Sequence, residues 1–264
     1  MKNYSHTPRK RFGQNFLIDP HIIQRIVQTI APEKNQHLVE IGPGQAALTK
    51  LLIEKSDTLD VIEIDRDLVQ MLQNTFSNHE MITIHSADAL TFDFAKLVTD
   101  HKKLRLIGNL PYNISTPLIF HLLRFSSIID DMHFMLQKEV VDRLAATPGS
   151  DDWGRLSVMV QYHCDVRALF QVPPSAFNPP PRVQSAIVKL TPHATLPVVA
   201  KVYTDFENVV RTAFTKRRKM IRNALKDFVT DDAQWKQLNI NPELRPEELS
   251  VADYVKISNN FFSS

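Results

Sequence analysis

Short apolar or β-branched runs alternate with longer amphipathic stretches over residues 37–192. His37–Ile41, Leu59–Ile64, Met81–His85, Leu104–Ile107 and Met132–Leu136 have the length and composition of strands. Between them, Ala46–Glu54, Arg66–Phe76, Thr116–Phe125 and Lys138–Ala146 have helical spacing. This alternation predicts an α/β fold, a mostly parallel sheet covered on both faces. Asp165–Val172 and Gln184–Leu190 are two later strands joined by the proline-rich Pro173–Arg182, which predicts an antiparallel pair at the sheet edge. After Pro197 strand-like runs cease. Val198–Phe214, Arg217–Phe228, Asp231–Gln237 and Val251–Phe262 have helical spacing, punctuated by Pro242 and Pro246. The pattern divides the chain into an α/β domain over residues 1–197 and a small all-helical domain over residues 198–264, with no internal repeat.

Composition narrows the classes. The chain has 264 residues, 43% hydrophobic and 23% charged, which is ordinary for a globular protein with a substantial core. No apolar run reaches the length of a membrane span, and Met1–Phe16 is too basic and polar to be a secretory leader. Cys164 is the only cysteine, so no disulfide can form within the chain, and no cysteine-based metal site is expected. A cytoplasmic setting is the expectation. The net charge of +2 says little, but its distribution says more. Lys2, Arg9, Lys10 and Arg11 open the chain without an acid. Arg211, Lys216, Arg217, Arg218, Lys219, Arg222 and Lys226 form a second acid-free stretch. Two local basic patches on a near-neutral chain point to a polyanionic partner.

The turn Val39-Glu40-Ile41-Gly42-Pro43-Gly44 follows a strand and precedes a helix. Glycines here let the backbone approach a ligand, and ligands of open α/β sheets sit at the carboxyl ends of strands. Alone, the motif could be a tight turn with no ligand. Glu63 closes the second strand, where an acid can take both ribose hydroxyls. Asp88 closes the third, where it can accept from an adenine amino group. Asp65 can equally serve as the cap of the helix beginning at Arg66. Together these residues predict a pocket for an adenosine-containing cofactor. The absence of a third glycine argues against a dinucleotide.

Gly108-Asn109-Leu110-Pro111-Tyr112 ends the fourth strand. An exocyclic adenine amine is a poor nucleophile because its lone pair is delocalised into the ring. Asn109 can accept one N6–H and the Leu110 carbonyl the other. Pro111 fixes the backbone, and Tyr112 offers a stacking face to a flipped-out base. No strong base is needed, and orientation supplies most of the catalysis.

Glu40-Ile41-Gly42-Pro43-Gly44, Asn109-Leu110-Pro111-Tyr112 and Arg11-Phe12-Gly13-Gln14-Asn15-Phe16-Leu17 together resemble the ribosomal RNA adenine dimethyltransferases. The bacterial small-subunit members are the nearest in pattern. The resemblance extends to Trp153–Val158, Phe177–Val183 and Arg245–Ser250. It implies a Rossmann-like sheet that uses S-adenosylmethionine, with Asn15, Leu17, Gly42, Gly44, Glu63, Asp88 and Asn109 around the cofactor. It further implies that Phe177 faces Tyr112 across the target adenine; from the residues alone Phe177 could equally be a core plug. Ala46 stands where many members carry another glycine, Trp153 where Tyr is usual, and Arg182 and Gln184 where Lys and Asp are common. The implied substrate is 16S rRNA in a small-subunit precursor, methylated at two adjacent adenosines, by a protein with no membrane association and no demand for a dimer.

Lys216-Arg217-Arg218-Lys219 is expected to open a helix. Arg218, Lys219 and Arg222 would share one face, while Met220, Ile221 and Leu225 pack on the other. Phosphates attract such clusters, although a solvated charged face is the alternative. Arg9, Lys10 and Arg11 could guide RNA to the pocket mouth. Two rival functions are a 23S rRNA methyltransferase of the antibiotic-resistance type and a non-catalytic RNA-binding assembly factor. The C-terminal match disfavours the first, and the intact Asn109–Tyr112 motif the second.

Overall fold

A computed structural model describes residues 14–98 and 102–261. It forms two compact units. One comprises the described residues up to Val141 together with Arg167–Pro192; the other comprises Asp142–Val166 and the described residues from His193 onward.

The first unit is organised by a seven-stranded sheet. Its strands are β2 (His37–Ile41), β3 (Thr58–Glu63), β4 (Ile82–Ser86), β5 (Leu104–Asn109), β6 (Ile129–Gln137), β7 (Cys164–Val172) and β9 (Ser185–Pro192), in the order β4-β3-β2-β5-β6-β9-β7. The pairs β3–β4, β2–β3, β2–β5 and β5–β6 are parallel, and β9 runs antiparallel to β6. The alternating pattern therefore yields the expected sheet, with the two late strands as neighbours at one edge. All five residues of β2 are buried, as in a central strand covered on both faces. The order reverses between β2 and β5. At such a switch point the connections leave in opposite directions and open a crevice above the strand ends.

Helices α2 (Thr49–Leu52), α3 (Arg66–Thr75), α4 (Ser115–Leu123) and α5 (Lys138–Ala145) follow β2, β3, β5 and β6. Asp65, only 1% exposed, caps α3 by accepting from Asp67 N at 3.1 Å. The periodicity misses α1 (Pro20–Ile30), whose start carries an Asp-Pro signal. Asp19 accepts from His21 N at 2.9 Å, and Pro20 occupies the first turn. A two-stranded ladder of β1 (Phe16–Leu17) and β8 (Phe177–Asn178) is also absent from the sequence pattern, because two residues carry no periodicity.

Opposite the strand carboxyl ends, buried Arg105 ties α1 to the sheet. It forms a two-pronged pair with Asp131 (2.9 and 3.0 Å), donates to the α1 carbonyl of Ile30 at 2.7 Å and reaches Gln36 Oε1 at 2.6 Å. Lys189 adds a 3.0 Å contact to Asp131. Burial would raise the Asp131 pKa, but His133 and Arg105 beside it hold the carboxyl well below its usual range.

The second unit contains α6 (Arg155–His163), α7 (Tyr203–Thr215), α8 (Ile221–Ala224), α9 (Asp232–Leu238) and α10 (Val251–Phe261). A division at residue 198 differs from this grouping, because α6 packs with the later helices. Tyr162 lies 4.6 Å, centroid to centroid, from Phe206. Trp153 is 1% exposed and donates to Leu249 O at 3.0 Å. No described helix is long and apolar enough to cross a membrane.

Candidate functional site

A cavity of about 190 Å³ opens above the ends of β2, β3 and β5, at the switch point. Asn15, Leu17, Gly42, Gly44, Glu63, Asp88 and Asn109 all line it, as do Leu110, Pro111 and Tyr112. Residues as far apart in sequence as Asn15 and Tyr112 thus converge on one space. Asn15, remote from the glycine turn, arrives because the β1–β8 ladder anchors its segment, with Ile18 N donating to Ala176 O at 2.8 Å.

The turn after β2 is built on left-handed residues. Gly42 has φ +67° and Gly44 φ +56°. A Cβ on Gly44 would also stand 3.0 Å from the Phe16 ring, so the turn is both left-handed and closely approached. Ala46 is left-handed too, at φ 65°, and fully buried. An alanine in this conformation costs about 1 kcal/mol. That explains why glycine suits the position and what this chain's departure from it entails.

Glu63 is 6% exposed, and its Oε1 accepts from Asp65 N at 2.9 Å. Burial raises its pKa, opposed by the backbone N–H groups of Asp65, Gly44 and Ile64. Half-buried Asp88 accepts from Leu90 N at 2.9 Å through Oδ1. Hydrogen-bond acceptors thus stand at or just beyond the ends of the adjacent strands β3 and β4.

At the end of β5, Asn109 Nδ2 donates to Asn15 O at 3.0 Å. That carbonyl can only accept, so it fixes the amide orientation and turns Oδ1 away as the free-facing acceptor. Tyr112, half-buried, is tethered through its hydroxyl to Ser185 Oγ at 2.7 Å. Burial pushes its pKa up, and the Ser185 hydrogen bond opposes this. Phe177 is placed differently from Tyr112. It is 3% exposed, opposite Leu17 in the short ladder and within the core cluster that includes Ile26 and Ile187, and it does not line the cavity. Phe177 is thus a core side chain.

Sequence reasoning passed over Glu40. It is 2% exposed on β2, lines the cavity, and burial raises its pKa to about 7, with Glu63 adding to the effect. The Thr49 hydroxyl is near enough to lower it somewhat, yet neither Glu40 Oε2 nor Thr49 Oγ1 has a hydrogen-bond partner of proper geometry. The only sequence signal was an acid inside an apolar strand.

The basic segment departs from its expected form. Residues 216–219 form a turn between α7 and α8, not the start of a helix, so no shared helical face exists. Met220 is 41% exposed, whereas Ile221 and Leu225 are buried. The stretch is free of acids in sequence but not in space. Arg222 pairs with Glu243 at 3.3 Å and Arg217 approaches Glu247 at 3.8 Å. Arg218 and Lys219 are exposed and have no ion pair among the described residues. Arg9, Lys10 and Arg11 lie outside the described residues.

The lining fits S-adenosylmethionine: glycines in a left-handed turn that let the backbone close on a ligand, and carboxyl and amide acceptors that could take its hydroxyls and amine. Among the described residues, no group of side chains is suited to a metal ion.

A family profile described as "Ribosomal RNA adenine dimethylase" matches residues 5–262. The ribosomal RNA small subunit methyltransferase A of Pseudomonas aeruginosa is 56% identical over 256 residues, covering 97% of this chain and 95% of the relative. Its counterpart in Chromohalobacter salexigens is 57% identical, covering 97% and 92%. A solved dimethyladenosine transferase from Plasmodium falciparum superposes with a TM-score of 0.75 at 25% identity, covering 92% of this chain and 95% of that one. The 23S rRNA methyltransferase ErmE gives 0.73 at 23% identity over 94% of this chain and 99% of that one, a likeness of fold.

Proposed function

The chain belongs to the ribosomal RNA adenine dimethylase family, and we propose that it methylates N6 of two adjacent adenosines near the 3′ end of 16S rRNA in a small-subunit precursor. The observation that carries this reading is the Asn109 amide, held by Asn15 O at 3.0 Å on the lip of the cavity. Such a group serves to orient an exocyclic amine.

S-adenosylmethionine, when bound, supplies a methyl group on a sulfonium that is already electrophilic. This chain's residues do the rest. Glu63 holds the ribose hydroxyls and Asp88 the adenine amine of the cofactor. Asn109 Oδ1 accepts one N6–H of the target base and the Leu110 carbonyl the other, drawing the amine toward the reacting line. Pro111 stiffens the loop, and the Tyr112 ring, tethered by Ser185, carries the stacked base. Phe177 is buried and does not line the cavity, so the stacking face is assigned to Tyr112. Freezing orientation in this way accounts for most of the rate gain.

Arg218 and Lys219 are assigned to RNA phosphates, with Lys216, Arg217 and Arg222 adding to the field in part neutralised by Glu243 and Glu247. Arg9, Lys10 and Arg11 are proposed to act at the pocket mouth. The protein is read as a cytoplasmic monomer.

The test is incubation with labelled S-adenosylmethionine and separate ribosomal subunits, followed by nucleoside analysis. Dimethyladenosine in 16S rRNA is expected. Label confined to 23S rRNA would favour the resistance-type reading instead.

A further inference from the structure

The cavity has an unbalanced charge. Glu40, Glu63 and Asp88 line it, and no Lys, Arg or His does so among the described residues. Glu40 is the deepest of these acids, 2% exposed on β2, and its Oε2 has no partner. Its neighbours stabilise a charge only weakly: the Thr49 hydroxyl lowers its pKa somewhat, against the larger effect of burial. Thr49 on α2 offers one unpaired hydroxyl, and Glu63 on β3 repels. Among the described residues no cation on the cavity wall answers Glu40: Asp65 and Asp88 follow the ends of β3 and β4, and Gln14, Asn15 and Asn109 on that wall are neutral. A buried carboxylate without a cation is strongly disfavoured, and such a group takes up a proton instead.

The strand order says which part of a ligand it would meet. β2 lies between β3, which carries the ribose acid, and β5, which carries the transfer residue. S-adenosylmethionine carries its ammonium on the aminoacyl chain, attached to the same sulfur that joins the ribose to the transferable methyl, so a ligand reaching from β3 to β5 would bring this chain within reach of β2. We propose that Glu40 is the proton-exchanging carboxyl of this cavity: it is neutral in the empty site and ionises against the ligand's ammonium, so that binding releases a proton. The Glu40 O–H bond breaks, the proton passes to solvent, and the carboxylate pairs with the cation. No other bond changes. This inference rests on the functional reading above.

The consequence is a cofactor affinity that rises with pH on the acid side of neutrality. With a carboxyl that titrates at about 7, binding at pH 6.5 should release about three-quarters of a proton. Affinity should tighten about eightfold between pH 5.5 and 6.5.

The experiment is calorimetric titration of the full chain at pH 6.5 in buffers of different ionisation enthalpy, which counts protons without any methyl transfer. S-adenosylmethionine and S-adenosylhomocysteine, which both carry the ammonium, should each release a proton fraction of this size. 5′-Methylthioadenosine, which lacks the aminoacyl group, should release almost none. Glu40→Gln should abolish the release. Binding without proton exchange, equal release by methylthioadenosine, or unchanged release in Glu40→Gln overturns the inference. Should Glu40→Gln fail to fold, the three-ligand comparison on the unaltered protein decides alone. Absence of any S-adenosylmethionine binding would instead sink the functional reading beneath it.

Discussion

Replacing Asn109 by alanine tests the transfer site most directly. The substitution removes two things together: the Nδ2 donor that binds Asn15 O at 3.0 Å, and the Oδ1 acceptor that this bond orients. For stability the loss is modest, about 1 kcal/mol for one partly buried hydrogen bond. For chemistry it is large, because the N6 lone pair is no longer aligned with the methyl. Misplacements of this kind lower rates about a hundredfold, equivalent to about 2.7 kcal/mol in the barrier. Asn109→Asp separates the two losses. It keeps an acceptor but sets a carboxylate oxygen against the Asn15 carbonyl where a donor stood, and like poles repel. Aspartate should therefore fail to restore the rate, although it preserves shape. The assay is single-turnover transfer at saturating ribosomal substrate and cofactor, with cofactor affinity measured separately because Asn109 lines the cavity. RNA affinity should hardly change, since stacking and phosphate contacts remain. A near-wild-type rate for Asn109→Ala would refute the mechanism, and full activity for Asn109→Asp would refute the role of the Asn15 tether.

Further outcomes follow from the same geometry. Glu63→Ala should weaken S-adenosylmethionine about ten- to hundredfold without unfolding the protein, and calorimetry checks this. Reversing Arg218 and Lys219 to Glu should raise the Kd for the ribosomal substrate and flatten its salt dependence, leaving cofactor affinity unchanged; an unaltered slope of log affinity against log salt would show a merely solvated turn. Arg105→Met should destabilise the fold by about 2–3 kcal/mol in denaturant titration, since Asp131 keeps Lys189 but loses its two-pronged partner and the Ile30 carbonyl loses its donor. The Glu40 pKa is raised from 4.5 to about 7, so the folded state holds an extra proton between those values and stability falls as pH rises through them. The fall should total about 3 kcal/mol, and Glu40→Gln should remove it.

The sheet was legible in the sequence because its strands are long enough to carry a pattern and buried enough to be continuously apolar. β2 matched to the residue, since strand burial and the glycine turn delimit it from both sides. Elements whose reason for existing lies elsewhere in the chain were not legible. The β1–β8 ladder is two residues deep and depends on its partner, not on periodicity. The segment 216–219 looked helical because it lacks breakers, yet it turns. Ile221 N donates to Leu244 O at 2.6 Å, a tertiary contact no local propensity reports. The acid-free basic stretch misled for a related reason, since its counter-charges, Glu243 and Glu247, arrive from beyond the sequence window.

The candidate site divides along the same line. Residues at strand ends could be assigned roles because the topology of an open α/β sheet dictates that they converge, whatever the rest of the chain does. Their roles as acceptors follow from residue type. What the sequence could not supply is the environment that tunes them. Asn109 is an amide in any reading, but only its bond to Asn15 O decides which atom faces the target. Glu40 is an acid in any reading, but only its burial, with Oε2 unpaired, raises its pKa. Phe177 is an aromatic in any reading, and its burial opposite Leu17 sets it in the core behind the residues that line the cavity. The chemistry of such a site therefore has two sources. Identity is written locally, at the carboxyl ends of β2, β3, β4 and β5. Orientation and charge state are imposed by neighbours tens of residues away, and these are the properties on which rate and proton linkage depend.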